Sequence, residues 1–289
     1  MAAPYPQDLS KSNDQELSYW NYIRTNELLT LQHPITKYPD ENAFIIFHQI
    51  AELYFKLILN EVEQILDVLN PEESFYIEKI ERITLYFRSI IDCINTMPDV
   101  IDKNQFLSFR QKLGSASGFQ SLQYRLIELG STDPANLIPQ SQMKQVNLED
   151  LNEVIENWYW KISSTNPVNK KKTKTLRLFE IEHSEHIKKA AINSQKNNLW
   201  KIFLTHFSHS SHKYEIIDKL REFDKIANIE WPLAHLNISA HYLTDNEYQT
   251  ISSTGSINWR KYLSPEFQKI SFFPELWTME EKINWGKKG

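Results

Sequence analysis

The chain has one cysteine, Cys93, in 289 residues. That excludes an internal disulfide framework and any cysteine-rich metal site. Glycine is scarce too, with 6 residues beside 12 prolines, which argues against an architecture of many strands and tight turns. Positive charge is not in excess, since 32 Lys and Arg face 37 Asp and Glu for a formal net charge of -5. The chain therefore has no electrostatic footprint for nucleic acid. No apolar run approaches about 18 residues. The opening MAAPYPQDLSKSNDQ does not read as a signal peptide. The expectation is a cytoplasmic protein with no membrane and no nucleic acid among its partners.

Aromatics and helical periodicity are what is present. Phe, Trp and Tyr make up 12% of the chain, a supply that serves a core and could also wall a pocket for a flat apolar ligand. Residues 1–15 read as a flexible polar arm and 16–289 as one domain. A first amphipathic helix is expected from Leu17 to Leu31. The loop at Tyr38-Pro39-Asp40 then lets Asp40 cap a long apolar helix, ENAFIIFHQIAELYFKLILNEVEQILDVLN, which Asn70-Pro71 closes. Further helices are expected over Glu72–Met97, Asn147–Ser163, Lys174–Lys196 and Leu199–Ala227, with a solvated basic loop over Ser164–Lys172. The fold class is all-α.

One stretch, FLSFRQKLGSASGFQSLQYRLIE from Phe106 to Glu128, places Arg110 and Arg125 among aromatics on either side of a Gly/Ser break. A guanidinium in such surroundings needs an anion, and a substrate carboxylate would meet its planar fork bidentately. Pairing with the chain's own acids, Glu128 or Asp102, is the alternative. Among nine histidines, His48 stands out because AFIIFHQIAELYF is strongly apolar. An imidazole there is either a satisfied core group or has a task. His33, His206, His209 and His212 have surface roles. His183 and His186, three apart, lack a third metal ligand nearby. His235 and His241 follow Trp231 on the last helix, and either could reach a cofactor.

Three strings, YWNYIRTNELLTLQ, ENAFIIFHQIAELYFKLILNEVE and FRQKLGSASGFQSLQYRLIE, closely resemble the tryptophan 2,3-dioxygenase family of haem enzymes, and the closing SFFPELW is similar to that family's end. The resemblance implies a helical bundle enclosing haem b, with L-tryptophan and O2 as substrates and N-formylkynurenine as product. Phe44 and His48 match distal-pocket residues, the histidine being the partner of the indole nitrogen. Arg110 matches the arginine that clamps the carboxylate, four residues after the aromatic at Phe106. Ser117 matches a pocket serine. Tyr19 and Tyr22 match tyrosines that complete a neighbouring subunit's pocket in a homotetramer, or at least a homodimer. His235, in WPLAH, matches the proximal iron ligand, with His241 as the competing candidate.

Two departures stand beside these matches. Ser253-Thr254-Gly255-Ser256-Ile257-Asn258-Trp259 replaces a glycine-rich string, keeping the threonine that meets the substrate ammonium in the family but losing most glycines. The stretch before it is longer, with Thr244–Tyr248 as the insertion. A displaced substrate would leave the reaction at one oxygen atom, so hydroxylation of tryptophan or another aromatic amino acid is the alternative outcome. A non-catalytic haem or amino-acid binding protein is the alternative class.

Overall fold

In the computed structural model, residues 18–114, 117–244 and 259–287 are described. Seven helices carry the architecture: α1 (Asp40–Asp67), α2 (Glu73–Asn95), α3 (Lys103–Arg110), α4 (Leu122–Ser131), α5 (Lys174–Ser194), α6 (Lys213–Lys225) and α7 (Trp231–Leu243). Among the described residues no strand forms, and β pairing is confined to isolated bridges such as Thr165–Lys172. The all-α expectation holds.

Helix α1 is the axis of the bundle. It packs against α2 along one side and α4 along another. Ile58, Val62 and Ile65 of α1 and Ile80, Ile83 and Phe87 of α2 are all fully buried in the same core. By length and composition α1 could cross a membrane. Instead it holds Glu61 in a buried ion pair with Lys79 of α2, at 2.6 Å, which only a folded neighbour can supply. Asp40 is the first residue of α1 and not its cap; Pro39 holds the cap position. The Asp40 carboxylate accepts the backbone N–H of Asp102 at 2.7 Å, tying the start of α1 to the start of α3.

Several expected helices are divided, each for a local reason. The early helix becomes Tyr19–Tyr22 and Thr25–Leu28, separated by Arg24 at φ 55. So short a segment with no core beneath it gains little from continuing as one helix. The Asn147–Ser163 helix is broken into Leu151–Glu156 and Tyr159–Ser163 because Trp158 turns extended to bury its indole, whose Nε1–H donates to the Pro134 carbonyl at 2.9 Å. The basic loop is not simply solvated: Lys172 sits between Glu156 and Glu180, at 2.8 and 2.7 Å, and Lys161 reaches the same two acids.

The reverse happens at Trp231-Pro232, where a break was expected. The chain runs on from α6 into α7 through a π turn at Ile226–Glu230. A proline inside an α-helix removes one hydrogen bond and crowds a carbonyl. A π turn relieves that crowding by admitting one more residue. Just before the turn, the buried carboxylate of Asp224 accepts five hydrogen bonds, from Ser271 (2.6 Å), Phe272 (2.8 Å), Phe273 (3.2 Å), Trp277 (2.7 Å) and Asn228 (2.8 Å). It thereby pins the aromatic segment near the end of the chain to α6.

Gly130 of α4 marks the closest approach in the bundle. A Cβ there would lie 2.5 Å from Cγ1 of Val62 on α1. Gly130→Ala should therefore lower stability by about 1–3 kcal/mol through overpacking, and adding Val62→Ala should recover part of that loss. Denaturant unfolding of the two variants measures both effects; an unchanged midpoint for Gly130→Ala would contradict the packing described.

Candidate active site

Helices α1, α3, α4 and α7 enclose a cavity of about 290 Å³. About a third of the lining residues are Phe, Tyr or Trp. On α1, Phe44, Phe47, His48, Ala51, Glu52 and Phe55 face inward at spacings of three and four, the period of one helical face. Trp231, His235, Ile238 and Tyr242 do the same on α7. Phe106 and Arg110 enter from α3, Tyr124 and Arg125 from α4, and Ser117 and Gly118 from the turn between those helices.

His48 lies against Phe44, ring centroids 4.2 Å apart, and its Nδ1 is 2.8 Å from the Phe44 carbonyl one turn back. A carbonyl only accepts, so Nδ1 carries the proton and donates. That leaves Nε2 unprotonated, a hydrogen-bond acceptor. Burial pushes the His48 pKa below its ordinary value against the opposing pull of the Phe44 carbonyl and of Glu52. His235, on the facing helix, stacks on Trp231 with centroids 6.0 Å apart and planes 6° from parallel. Burial and the nearness of His48 push its pKa down to about 4. Both imidazoles are neutral at physiological pH. His241 is exposed and is not among the cavity-lining residues, with its ring edge-on to Tyr242 at 4.8 Å.

The two arginines differ in kind. Arg125 is buried and donates from Nη1 to Glu128 at 2.7 Å and to the Tyr159 hydroxyl at 2.8 Å. It thus follows the self-pairing alternative. Arg110, half-buried at the cavity edge, has its pKa lowered by burial and remains a cation, as guanidinium does at any physiological pH. Phe106 packs between Phe44 (5.8 Å) and Tyr242 (4.4 Å). The backbone N–H of Ser117 donates to Oε1 of Gln120 at 3.3 Å, holding the turn that brings Ser117 to the wall. Phe44, His48, Phe106, Arg110, Ser117 and His235 are therefore brought together. Tyr19 and Tyr22 are not: they are 71% and 72% exposed and lie off the cavity of their own chain. Thr254 and the rest of the altered loop up to residue 258 lie outside the described residues.

Among the wall residues that the sequence reading did not single out are Glu52, Tyr159 and Trp160. Glu52 shares the helical face of His48, so the 3.6-residue period could have found it. Its side chain and carbonyl both accept from Gln123 Nε2, at 2.9 and 2.8 Å. Tyr159 and Trp160 come from a short helix far along the chain, and nothing local marks them; Trp259, the last residue of the altered string, reaches the wall from the start of another short helix.

Among the described residues no three of His, Cys, Asp and Glu gather to hold a bare metal ion. A neutral imidazole on an apolar wall suits a metal whose other positions are filled by its own macrocycle. The residues present fit haem in this respect, since the cavity offers the neutral imidazoles of His48 and His235 on facing helices.

A family model for tryptophan 2,3-dioxygenase matches residues 6–203, about two-thirds of the chain. The chain belongs to the tryptophan 2,3-dioxygenase family. That is a family of haem-dependent oxidoreductases. Members run the full length of the chain: the tryptophan 2,3-dioxygenase of Geobacillus thermodenitrificans is 27% identical over 277 residues, 93% of each chain, and that of Shewanella woodyi 25% over 283 residues, covering 93% of this chain and 92% of its own. The enzyme of Herpetosiphon aurantiacus is 41% identical, but over 128 residues, 43% of this chain and 49% of the relative. The family model ends before α7, so the His235 wall lies beyond the residues it matches.

Both imidazoles have lower pKa values folded than in the unfolded chain, so below about pH 6.5 the unfolded chain takes up protons that the folded chain refuses. Stability of the haem-free protein should be full above that pH and fall as pH drops toward 4. His235→Leu should flatten part of this slope, measured as denaturant midpoint against pH. An unaltered slope would mean that His235 is already charged in the folded protein.

Proposed function

We propose that this chain is a cytoplasmic, haem-dependent oxygenase that adds both atoms of O2 across the indole C2–C3 bond of L-tryptophan, giving N-formylkynurenine. The observation that carries the reading is the pair of neutral histidines on opposite walls of one aromatic cavity, with Arg110 at its edge.

Bound haem supplies the oxygen chemistry; the chain's own residues bind, orient and exclude water. His235 would offer its unprotonated ring nitrogen to the haem iron. His48, its Nδ1 proton committed to the Phe44 carbonyl, accepts the indole N–H at Nε2 and fixes the in-plane rotation of the ring. Phe44 and Phe106 close on the flat indole. Arg110 holds the α-carboxylate bidentately, and Ser117 and Thr254 complete the amino-acid end. With both ends held, the indole would keep one orientation in the cavity, and such positioning accounts for several kcal/mol of barrier lowering, on the order of 7 or more in well-aligned cases. Tyr19 and Tyr22, exposed on their own chain, close the pocket of a second copy in a homotetramer or homodimer. The exposed apolar stripe of α1 at Ile46, Leu53 and Leu57 supports association of copies.

Haem-loaded, reduced protein mixed with L-tryptophan in air should yield a product heavier by two oxygen atoms, read by mass spectrometry. A gain of one atom would replace ring cleavage by hydroxylation, and no haem uptake would overturn the reading. Arg110→Ala should raise KM roughly tenfold to a hundredfold, the worth of a charge-assisted hydrogen-bond pair, while leaving the haem spectrum unchanged; steady-state kinetics at wild-type values would remove Arg110 from the site. His235→Ala should lose haem, and full retention would move the ligand to His241.

A further inference from the structure

The direction in which His235 points is decided upstream of it, in the π turn. Backbone angles stay helical throughout, with Ile226 at φ -66, ψ -40 and Trp231 at φ -60, ψ -51. Yet the Trp231 N–H donates to the Ile226 carbonyl, five residues back and not four. One residue corresponds to about 100° of rotation in an α-helix. Had the chain continued from Lys225 as plain α-helix, Ala234 would face where His235 now faces, and the cavity would be offered a methyl group.

Continuing the same five-residue pattern, the next donor would be residue 232 and the next acceptor the Ala227 carbonyl. Residue 232 is proline and has no N–H. Tyr124 of α4 supplies the missing donor: its hydroxyl reaches the Ala227 carbonyl at 3.2 Å, deep in the core. The Tyr124 ring also packs on Phe55 (5.3 Å) and on Trp231 (6.5 Å), the residue against which His235 stacks. Inside the turn, the Asn228 amide donates to Asp224 at 2.8 Å, tying it to the five-donor carboxylate. A buried carbonyl without a donor costs about 1–3 kcal/mol, so the hydroxyl and the proline together favour the wide turn over a regular one.

We propose that Tyr124, Asn228 and Pro232 are positioning residues that hold the π turn and so aim the His235 imidazole into the cavity. This rests on the reading of His235 as the haem ligand. Two variants of the full chain test it. Tyr124→Phe keeps the ring and removes the donor. Deleting exposed Glu230 removes the extra residue, and the Trp231 N–H then meets the same Ile226 carbonyl as an ordinary four-residue bond, so His235 keeps its direction.

The readouts are the iron–histidine stretching band of the ferrous haem protein, the rate of haem transfer to apomyoglobin, and, in haem-free protein, the His235 ring-proton shifts imposed by stacked Trp231. Tyr124→Phe should shift the band and the ring protons and speed haem loss on the order of tenfold. The Glu230 deletion should keep both signals near wild type. Wild-type signals throughout in Tyr124→Phe would overturn the proposal, as would a folded Glu230 deletion in which the His235 signals are lost. Should wild-type protein take up no haem while the ring-proton shifts respond as described, the positioning stands and the ligand reading falls.

Discussion

Low polarity at the centre of the bundle governs the rest of this structure. An imidazolium placed there would lose more in hydration than the pull of Glu52 on His48 returns, so both histidines stay neutral. Neutrality then assigns their chemistry: a lone pair at His48 Nε2, because Nδ1–H is engaged by the Phe44 carbonyl, and a free ring nitrogen at His235. The charges that do enter the interior are matched locally, as Arg125 is by Glu128 and Tyr159, and Lys79 is by Glu61. Arg110 stays half-buried at the cavity edge.

An open cavity gives up packing that a solid core would have, and the surrounding layers make up for it. The α1–α2–α4 side is close-packed to the point that Gly130 leaves no room for a methyl group against Val62. On the far side, one carboxylate, Asp224, draws five donors from α6, the π turn and the chain's aromatic end. The cavity is thus held between two stiff regions, and its α7 wall is attached to both, through Tyr124 and through Asp224.

Much of this was legible in the sequence. The fold class followed from helical periodicity and the scarcity of glycine, and α1 was readable nearly end to end because its apolar residues keep the 3.6-residue period. His48 was visible as a polar group on that apolar face. Arg110 and Arg125 were not separable by pattern: both sit among aromatics, and only the i,i+3 acid Glu128 together with distant Tyr159 marks Arg125 as self-paired. The continuity of α6 and α7 was hidden by Pro232, whose local signal is to stop a helix; a hydroxyl from a residue more than a hundred positions earlier reverses that signal. Trp158 likewise overrode local propensity by burying its indole. The walls supplied by Tyr159, Trp160 and Trp259 depend on long-range packing that no short window contains.

The Tyr242 hydroxyl joins α7 to the connection between α2 and α3, reaching the carbonyls of Met97 at 2.9 Å and Ile101 at 3.2 Å, more than 140 residues away along the chain. Closing so long a loop is entropically costly and slow compared with the local docking of α1 on α2. The α7 wall of the cavity, which carries His235, is therefore held by a contact of long sequence separation, and any change that loosens that closure is felt at the cavity.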